Sequence, residues 1–278
     1  MKEIHGGLRY FKGMNITVVG AGNMGGALAK GWSSVFTPPS TITITARTQA
    51  TLERFTTYKN IVTSLNNCQS VLDASIIIVA VKPWLVEQVC AEISPVLKPN
   101  QILCSVAAGI STERLSTLVN SSRHSSPPIS NIFYVMPNIA AEFCSSMTFI
   151  APAKTCTPDS IAAVEKLFTQ VGSVKICDES LIPTGMMLGG CGIAYVMRFL
   201  RAEMEAGVEM GFKPKEALEV AMQTMEGAVK LLRATGEHPE AAIDRVTTPG
   251  GITIKGLNEL EHAGFTSAVI RCLKAGLK

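Results

Sequence analysis

The sequence predicts an α/β fold, a Rossmann-type doubly wound and mostly parallel sheet followed by an all-helical domain. Short β-branched runs alternate with longer helical patterns from residue 16 to about 176, which implies crossover connections and a sheet covered on both faces. A glycine-rich loop follows the first run and opens the first helical pattern. After Glu179 the β-branched runs vanish, and Met, Ala, Leu and Glu dominate long helical stretches.

Residues 1–13 carry Lys2, Glu3, Arg9 and Lys12 without a continuous apolar segment, so they read as an extension ahead of a domain starting near Met14, not as a secretory signal. Strands are expected at 16–19, 42–45, 75–79, 102–106, 131–135, 147–151 and 174–176. The first leads through the glycine loop into a helix marked by Leu28 and Trp32. The Ser-rich stretch 120–130, with Pro127 and Pro128, breaks any helix and reads as a loop into the next strand. Residues 14–178 are thus expected to form the sheet domain.

Residues 179–278 are expected to form the helical domain. Leu218, Met222, Met225, Val229 and Leu232 mark one apolar stripe, and Ala217, Val220, Ala221, Ala228 and Leu231 widen it beyond a single face. Such a helix needs apolar neighbours on several sides, more than one small domain offers. A homodimer or an assembly of dimers is the expected partner state.

The chain has 278 residues, 47% hydrophobic and 17% charged, ample for a buried core. Its net charge of +3 comes without a block of Lys or Arg, which argues against nucleic acid and against a polybasic membrane anchor. The longest purely apolar run, 76–81, is far shorter than the roughly 20 residues that span a bilayer, so no membrane span is expected. Eight scattered cysteines without a CxxC pair, and four histidines without zinc spacing, read as reduced thiols in a cytoplasmic protein with no metal.

In the motif Gly20-Ala21-Gly22-Asn23-Met24-Gly25 the first glycine permits a tight turn, the second admits a pyrophosphate to the backbone, and the third lets the helix pack closely. The helix N-terminus then faces the phosphates of a dinucleotide. An acid that would bind a free ribose 2′-hydroxyl is missing: no Asp or Glu occurs from Ile4 to Leu52. Arg47 and Thr48 follow the second strand instead and offer a guanidinium and a hydroxyl to a 2′-phosphate, which favours NADPH over NADH. At the same sheet edge, Ala80, Val81, Lys82 and Pro83 close another strand, and Ala107-Ala108-Gly109 offers small residues where a bulky side chain would obstruct a flat ring.

A second constellation lies in the helical half. Pro249-Gly250-Gly251 precedes a helical pattern from Ile252 to Leu260, with Thr247, Thr248 and Thr253 around it. Two unobstructed glycine amides at a helix start suit a carboxylate or a phosphate.

With these residues in view, the chain resembles the pyrroline-5-carboxylate reductases over residues 15–276. The shared features are the glycine loop with Met24, Ala80 to Pro83, Ala107 to Gly109, Met136-Pro137-Asn138, Ala194-Tyr195 and Gly264-Phe265. The most specific is His238-Pro239 followed by Asp244, Val246, Thr248, Pro249, Gly250, Gly251 and Thr253. The resemblance implies that Thr253, with the Gly251 to Ile252 backbone, contacts the ring nitrogen and carboxylate of a cyclic imine carboxylate, and that Thr248 lines the same pocket. It also implies that Asn67 lies near the adenine ribose, Lys82 and Ala108 line the cofactor, and Glu179 contacts substrate. Two stretches depart from the family pattern: Gly189-Gly190-Cys191-Gly192-Ile193 and Asn138-Ile139-Ala140 lack its usual hydroxyls and prolines.

The implied reaction is NADPH-dependent reduction of 1-pyrroline-5-carboxylate to L-proline. A protonated imine is already electrophilic, so a site of glycines and threonines suffices without a histidine. Two alternatives stand beside it: an NADP-dependent reductase of a related imine or hydroxyacid, and a non-catalytic NADP-binding dimer. Hydroxyacid dehydrogenases of similar layout use a lysine in the interdomain helix, and no Lys occurs between Lys175 and Lys213.

Overall fold

The computed structural model describes residues 14–36, 40–123 and 126–277. The expected extension at 1–13 lies outside the described residues. The chain separates into two compact units that meet between Gly190 and Cys191.

The first unit is built on one eight-stranded sheet. Its strands are β1 (Asn15–Val19), β2 (Thr41–Thr45), β3 (Ile61–Ser64), β4 (Ile76–Val79), β5 (Ile102–Ser105), β6 (Ile132–Met136), β7 (Ser146–Pro152) and β8 (Gly172–Ile176). They lie in the order β3-β2-β1-β4-β5-β6-β7-β8, all neighbours parallel except the antiparallel pair β6 and β7. The strand order reverses between β1 and β4, and the crevice beyond their carboxyl ends is where ligands of such sheets bind.

Six helices cover this sheet: α1 (Asn23–Val35), α2 (Gln49–Leu52), α3 (Asn67–Val71), α4 (Val86–Ile93), α5 (Thr112–Asn120) and α6 (Pro158–Thr169). Every residue of β4 is buried, as a central strand covered on both faces requires. On one face Trp32 of α1 packs edge-on against Phe168 of α6, ring centroids 5.4 Å apart, and its indole N–H donates to the Leu167 carbonyl at 3.0 Å. Burying a side chain of this size contributes about 1.5–3 kcal/mol, and the indole proton is not left unpaired. In the loop 120–130 the buried Arg123 donates to the carbonyls of Ser94, Leu97 and Pro127.

Seven strands were expected and the sheet has eight. β3 pairs in parallel with β2 and has one buried residue, Ile61, so it shows no alternation and no long apolar run. Tertiary pairing makes it a strand where local pattern does not.

From Glu179 a continuous helical run passes through α7 (Ile182–Gly185), a π-helical turn at Met186–Cys191 and α8 (Gly192–Glu209). By length and composition alone, the stretch Glu179–Glu209 is apolar enough to cross a membrane, which the linear run at 76–81 did not reveal. The start of this run is tied to the sheet. Ile182 is buried against Tyr134, Met136 and Ala151, and the Asn138 side chain donates to the Gly189 carbonyl at 2.8 Å. Those contacts hold 179–190 in the first unit, beyond the boundary expected at 178.

The second unit comprises α8, α9 (Pro214–Thr235), α10 (Pro239–Arg245), α11 (Ile252–His262) and α12 (Phe265–Ala275). α8 and α9 pack so closely at Gly207 that a Cβ there would lie 2.8 Å from Ala217 Cβ. Within one chain the unit's only buried residues, among those described, are Gly207, Ala217, Ala221 and Ala242. Val220, Met222, Val229 and Leu231, on the expected stripe, remain exposed.

Candidate functional site

The first part of the site is the loop between β1 and α1. Gly20 has φ +112°, and a Cβ on it would meet the Ala80 carbonyl oxygen at 2.8 Å, so the turn accepts only glycine. A Cβ on Gly25 would meet the Gly20 oxygen, which explains the third glycine. Over Gly22 the space is open, with nothing within 4 Å of where its Cβ would stand. Gly22 caps α1 without a side-chain hydrogen bond, and the first turn holds no acid. The arrangement leaves backbone amides and the positive end of a helix facing an unobstructed approach, which fits a pyrophosphate.

Arg47 and Thr48 stand just beyond β2, both exposed. Thr48 begins α2 but does not cap it with its side chain; its hydroxyl pairs with that of Thr51 at 2.9 Å. Arg47 has no hydrogen-bond or ion-pair partner among the described residues, so its guanidinium is available to an anion. Asn67 opens α3 beside the same edge with both ends of its amide engaged: the oxygen accepts from Thr45 at 2.6 Å and the nitrogen donates to Glu92 at 3.0 Å.

Beyond β4, Ala80 is buried, Val81 and Pro83 are half-buried, and Lys82 is exposed at the start of a short 3-10 turn. Beyond β5, Ala108 is exposed and Gly109 takes φ +77°. The Gly109 N–H donates to the Tyr134 hydroxyl at 2.9 Å. Burial pushes the Tyr134 phenol above its ordinary value, the Gly109 N–H pulls the other way, and the Glu179 carboxylate raises it further. Neither Tyr134 nor Thr112 stands out in the sequence, because their value lies in contacts with residues far along the chain.

Glu179, expected to contact substrate, is held by Thr112 and stays partly exposed. Its two oxygens accept the Thr112 backbone N–H at 3.2 Å each, and one accepts the Thr112 hydroxyl at 2.5 Å. Thr112 is the first residue of α5, so the carboxylate satisfies a helix N-terminus and joins the helical run at 179 to the Ala107–Gly109 side of the sheet.

The remaining residues belong to the helical unit. Gly250 has φ +72°, and the Gly251 N–H donates to the Thr248 carbonyl at 2.9 Å, closing a turn ahead of α11. This corrects the expectation of two free glycine amides, since that of Gly251 is spent inside the turn. The amides left without intrahelical partners are those of Ile252, Thr253 and Ile254, the first residues of α11. No side chain caps α11, so the Thr253 hydroxyl is not consumed as a helix cap. Thr248, Ile252 and Thr253 are all exposed in the single chain.

All eight cysteines are unpaired, and among the described residues no group of three or more His, Cys, Asp or Glu side chains is placed to hold a metal ion.

Comparison with known proteins matches residues 179–278 to the model for pyrroline-5-carboxylate reductase dimerisation. Residues 15–109 match the model for NADP oxidoreductase, coenzyme F420-dependent. Pyrroline-5-carboxylate reductase 2 of Dictyostelium discoideum is 32% identical over 271 residues, covering 92% of this chain and 89% of that protein. Pyrroline-5-carboxylate reductase 1 of the same organism is 35% identical over 92% of this chain, which spans only 47% of that protein's length. A solved structure of Plasmodium falciparum pyrroline carboxylate reductase with NADP bound shares the fold, with a TM-score of 0.84 and 24% identity over 96% of each chain.

Proposed function

The chain belongs to the pyrroline-5-carboxylate reductase family, and from that premise we propose which of its residues reduce 1-pyrroline-5-carboxylate to L-proline, and how. The enzyme is an NAD(P)H-dependent oxidoreductase acting on a C=N bond. The observation that carries the reading is the cradle at Gly22, a helix start with open space above it at the point where the strand order reverses.

The bound cofactor supplies the hydride. The chain supplies position and charge. Gly20 to Gly25 receive the pyrophosphate, and Arg47 with Thr48 take the 2′-phosphate, giving a preference for NADPH with NADH as the weaker cofactor. Asn67 lies toward the adenine ribose, where its bonds to Thr45 and Glu92 fix its orientation. Ala80 to Pro83 and Ala108 line the cofactor, and Tyr134 and Glu179 brace the loop that carries Ala108. Glu179, so held, presents its carboxylate on the substrate side of that loop.

At the start of α11 the Ile252 and Thr253 amides hold the substrate carboxylate. The Thr253 hydroxyl meets the ring nitrogen and relays a proton to it from water, while Thr248 forms the wall. Fixing the ring in this way replaces a strong side-chain acid, since the protonated imine is already electrophilic.

The protein works as a homodimer or an assembly of dimers in the cytoplasm. A matched dimerisation segment and an apolar helical unit whose described residues bury only one glycine and three alanines support this reading. The same pairing gives the apolar stretch Glu179–Glu209 a protein neighbour in place of lipid. NADPH oxidation followed with pyrroline-5-carboxylate and a panel of other cyclic imines and hydroxyacids tests the assignment. No turnover with pyrroline-5-carboxylate, beside turnover of another imine, would overturn it.

A further inference from the structure

We propose that Arg54 is a positioning residue for the cofactor, one that sets the peptide planes of the glycine loop and thereby aims its amides at the pyrophosphate. The inference rests on reading this loop as the cofactor cradle.

Arg54 lies in a short 3-10 turn, Glu53–Phe55, directly after α2. Leu52 and Phe55 on either side are buried and pin the backbone, while Arg54 itself stays at the surface. Its guanidinium reaches back across the N-terminal end of α1, where Nη2 donates to the carbonyls of Ala21 and, at 3.2 Å, Gly22. The same guanidinium lies 5.0 Å from the centroid of the Phe55 ring, which limits its freedom.

Gly26 makes the room. A Cβ at that position would lie 3.2 Å from Phe55 Cζ and 3.5 Å from Arg54 Nη2, so a longer side chain would contend with the guanidinium for its place.

In a trans peptide the C=O and the following N–H point in opposite directions. Holding the Ala21 and Gly22 oxygens on the Arg54 side therefore turns the Gly22 and Asn23 N–H groups the other way. Gly22 O also accepts the Gly26 N–H at 2.9 Å, so its plane is fixed by the helix as well. The Ala21 carbonyl has no other donor among the described residues, and its orientation depends on Arg54.

The charge supports the same conclusion. A cation beside the positive end of a helix is repelled unless an anion is near, and no carboxylate pairs with Arg54 among the described residues. The pyrophosphate of the cofactor would relieve that repulsion.

Both NADPH and NADH carry the pyrophosphate, so this effect is shared between them, unlike that of Arg47. The test is the dissociation constant of each cofactor, measured by calorimetry on the full chain for wild type, Arg54→Met and Arg54→Lys. With a charge-assisted hydrogen bond lost, Arg54→Met raises both constants by about tenfold and by the same factor. Arg54→Lys restores the charge without the fork and recovers part of the loss. The KM for pyrroline-5-carboxylate stays within about twofold, and the melting temperature without ligand is unchanged. Weakening of NADPH alone would make Arg54 a 2′-phosphate contact and overturn the proposal. Unchanged cofactor constants, with or without a lower melting temperature, would overturn it too by leaving Arg54 a surface or structural residue. Failure of the wild-type protein to bind either cofactor would instead remove the cofactor reading of the loop.

Discussion

The Tyr134 hydroxyl accepts the Gly109 N–H at 2.9 Å, so a side chain from β6 holds the loop beyond β5 from beneath. Tyr134→Phe removes the acceptor and leaves that N–H unpaired. A net hydrogen bond of about 0.5–1.5 kcal/mol translates into a two- to tenfold rise in KM for the cofactor. An unchanged KM in steady-state kinetics would show that the loop holds itself.

The same phenol makes an alkaline signature. Its pKa is raised above the ordinary 10.0, chiefly by burial, so the folded state favours the neutral form. The stability this contributes is complete below about pH 10 and is lost as pH rises beyond it. Urea unfolding of wild type and Tyr134→Phe at about pH 8 and again above pH 10 checks the sign: the wild type loses more than the variant. Equal losses would remove Tyr134 from the account.

Among the described residues Arg47 has no partner, and it stands where a 2′-phosphate is expected. Arg47→Ala is expected to raise KM for NADPH by about tenfold to a hundredfold and to move KM for NADH by less than about twofold. Equal effects on the two cofactors would remove the assigned phosphate contact. Comparison with the Arg54 variants separates the two arginines.

Thr253→Val keeps the branched shape and removes the hydroxyl. Since that hydroxyl caps nothing, the helix is not weakened by its loss. Catalytic efficiency toward pyrroline-5-carboxylate is expected to fall by about tenfold to a hundredfold, with cofactor binding intact. Thr248→Ala is expected to do less. Wild-type efficiency in Thr253→Val would exclude the contact with the ring nitrogen.

Met222 is 47% exposed in the single chain. Met222→Glu therefore buries no charge within one chain and is costly only where a second copy covers that face, because a buried unpaired carboxylate is strongly unfavourable. Sedimentation is expected to show a dimer or larger assembly for wild type and dissociation for the variant. A stable, active wild-type monomer would refute the pairing.

The sheet was legible because strands such as β4 are continuous apolar runs, and the glycine loop because each glycine answers a separate steric demand. β3 was not, since a four-residue strand with one buried side chain carries no periodic signal. At the candidate site, the placement of Arg47 after a strand and of Thr253 at a helix start could be read from their neighbours in sequence. Arg54 could not: it sits in an ordinary helical pattern, and only folding brings it across 33 positions to Ala21. The extra glycine at 26 was the one trace it left in the sequence. Glu179 is the reverse case, a residue singled out by pattern whose partner, Thr112, lies 67 positions away.

Among its described residues the helical unit buries nothing larger than alanine within one chain. If the proposed pairing supplies the missing core, this half follows mass action, and its stability is a property of the solution as much as of the sequence. Its melting temperature should climb with protein concentration, and dilution should inactivate the enzyme by unfolding it rather than by merely separating intact halves. In a cell, the rate at which new chains meet one another then governs how many survive to become active enzyme.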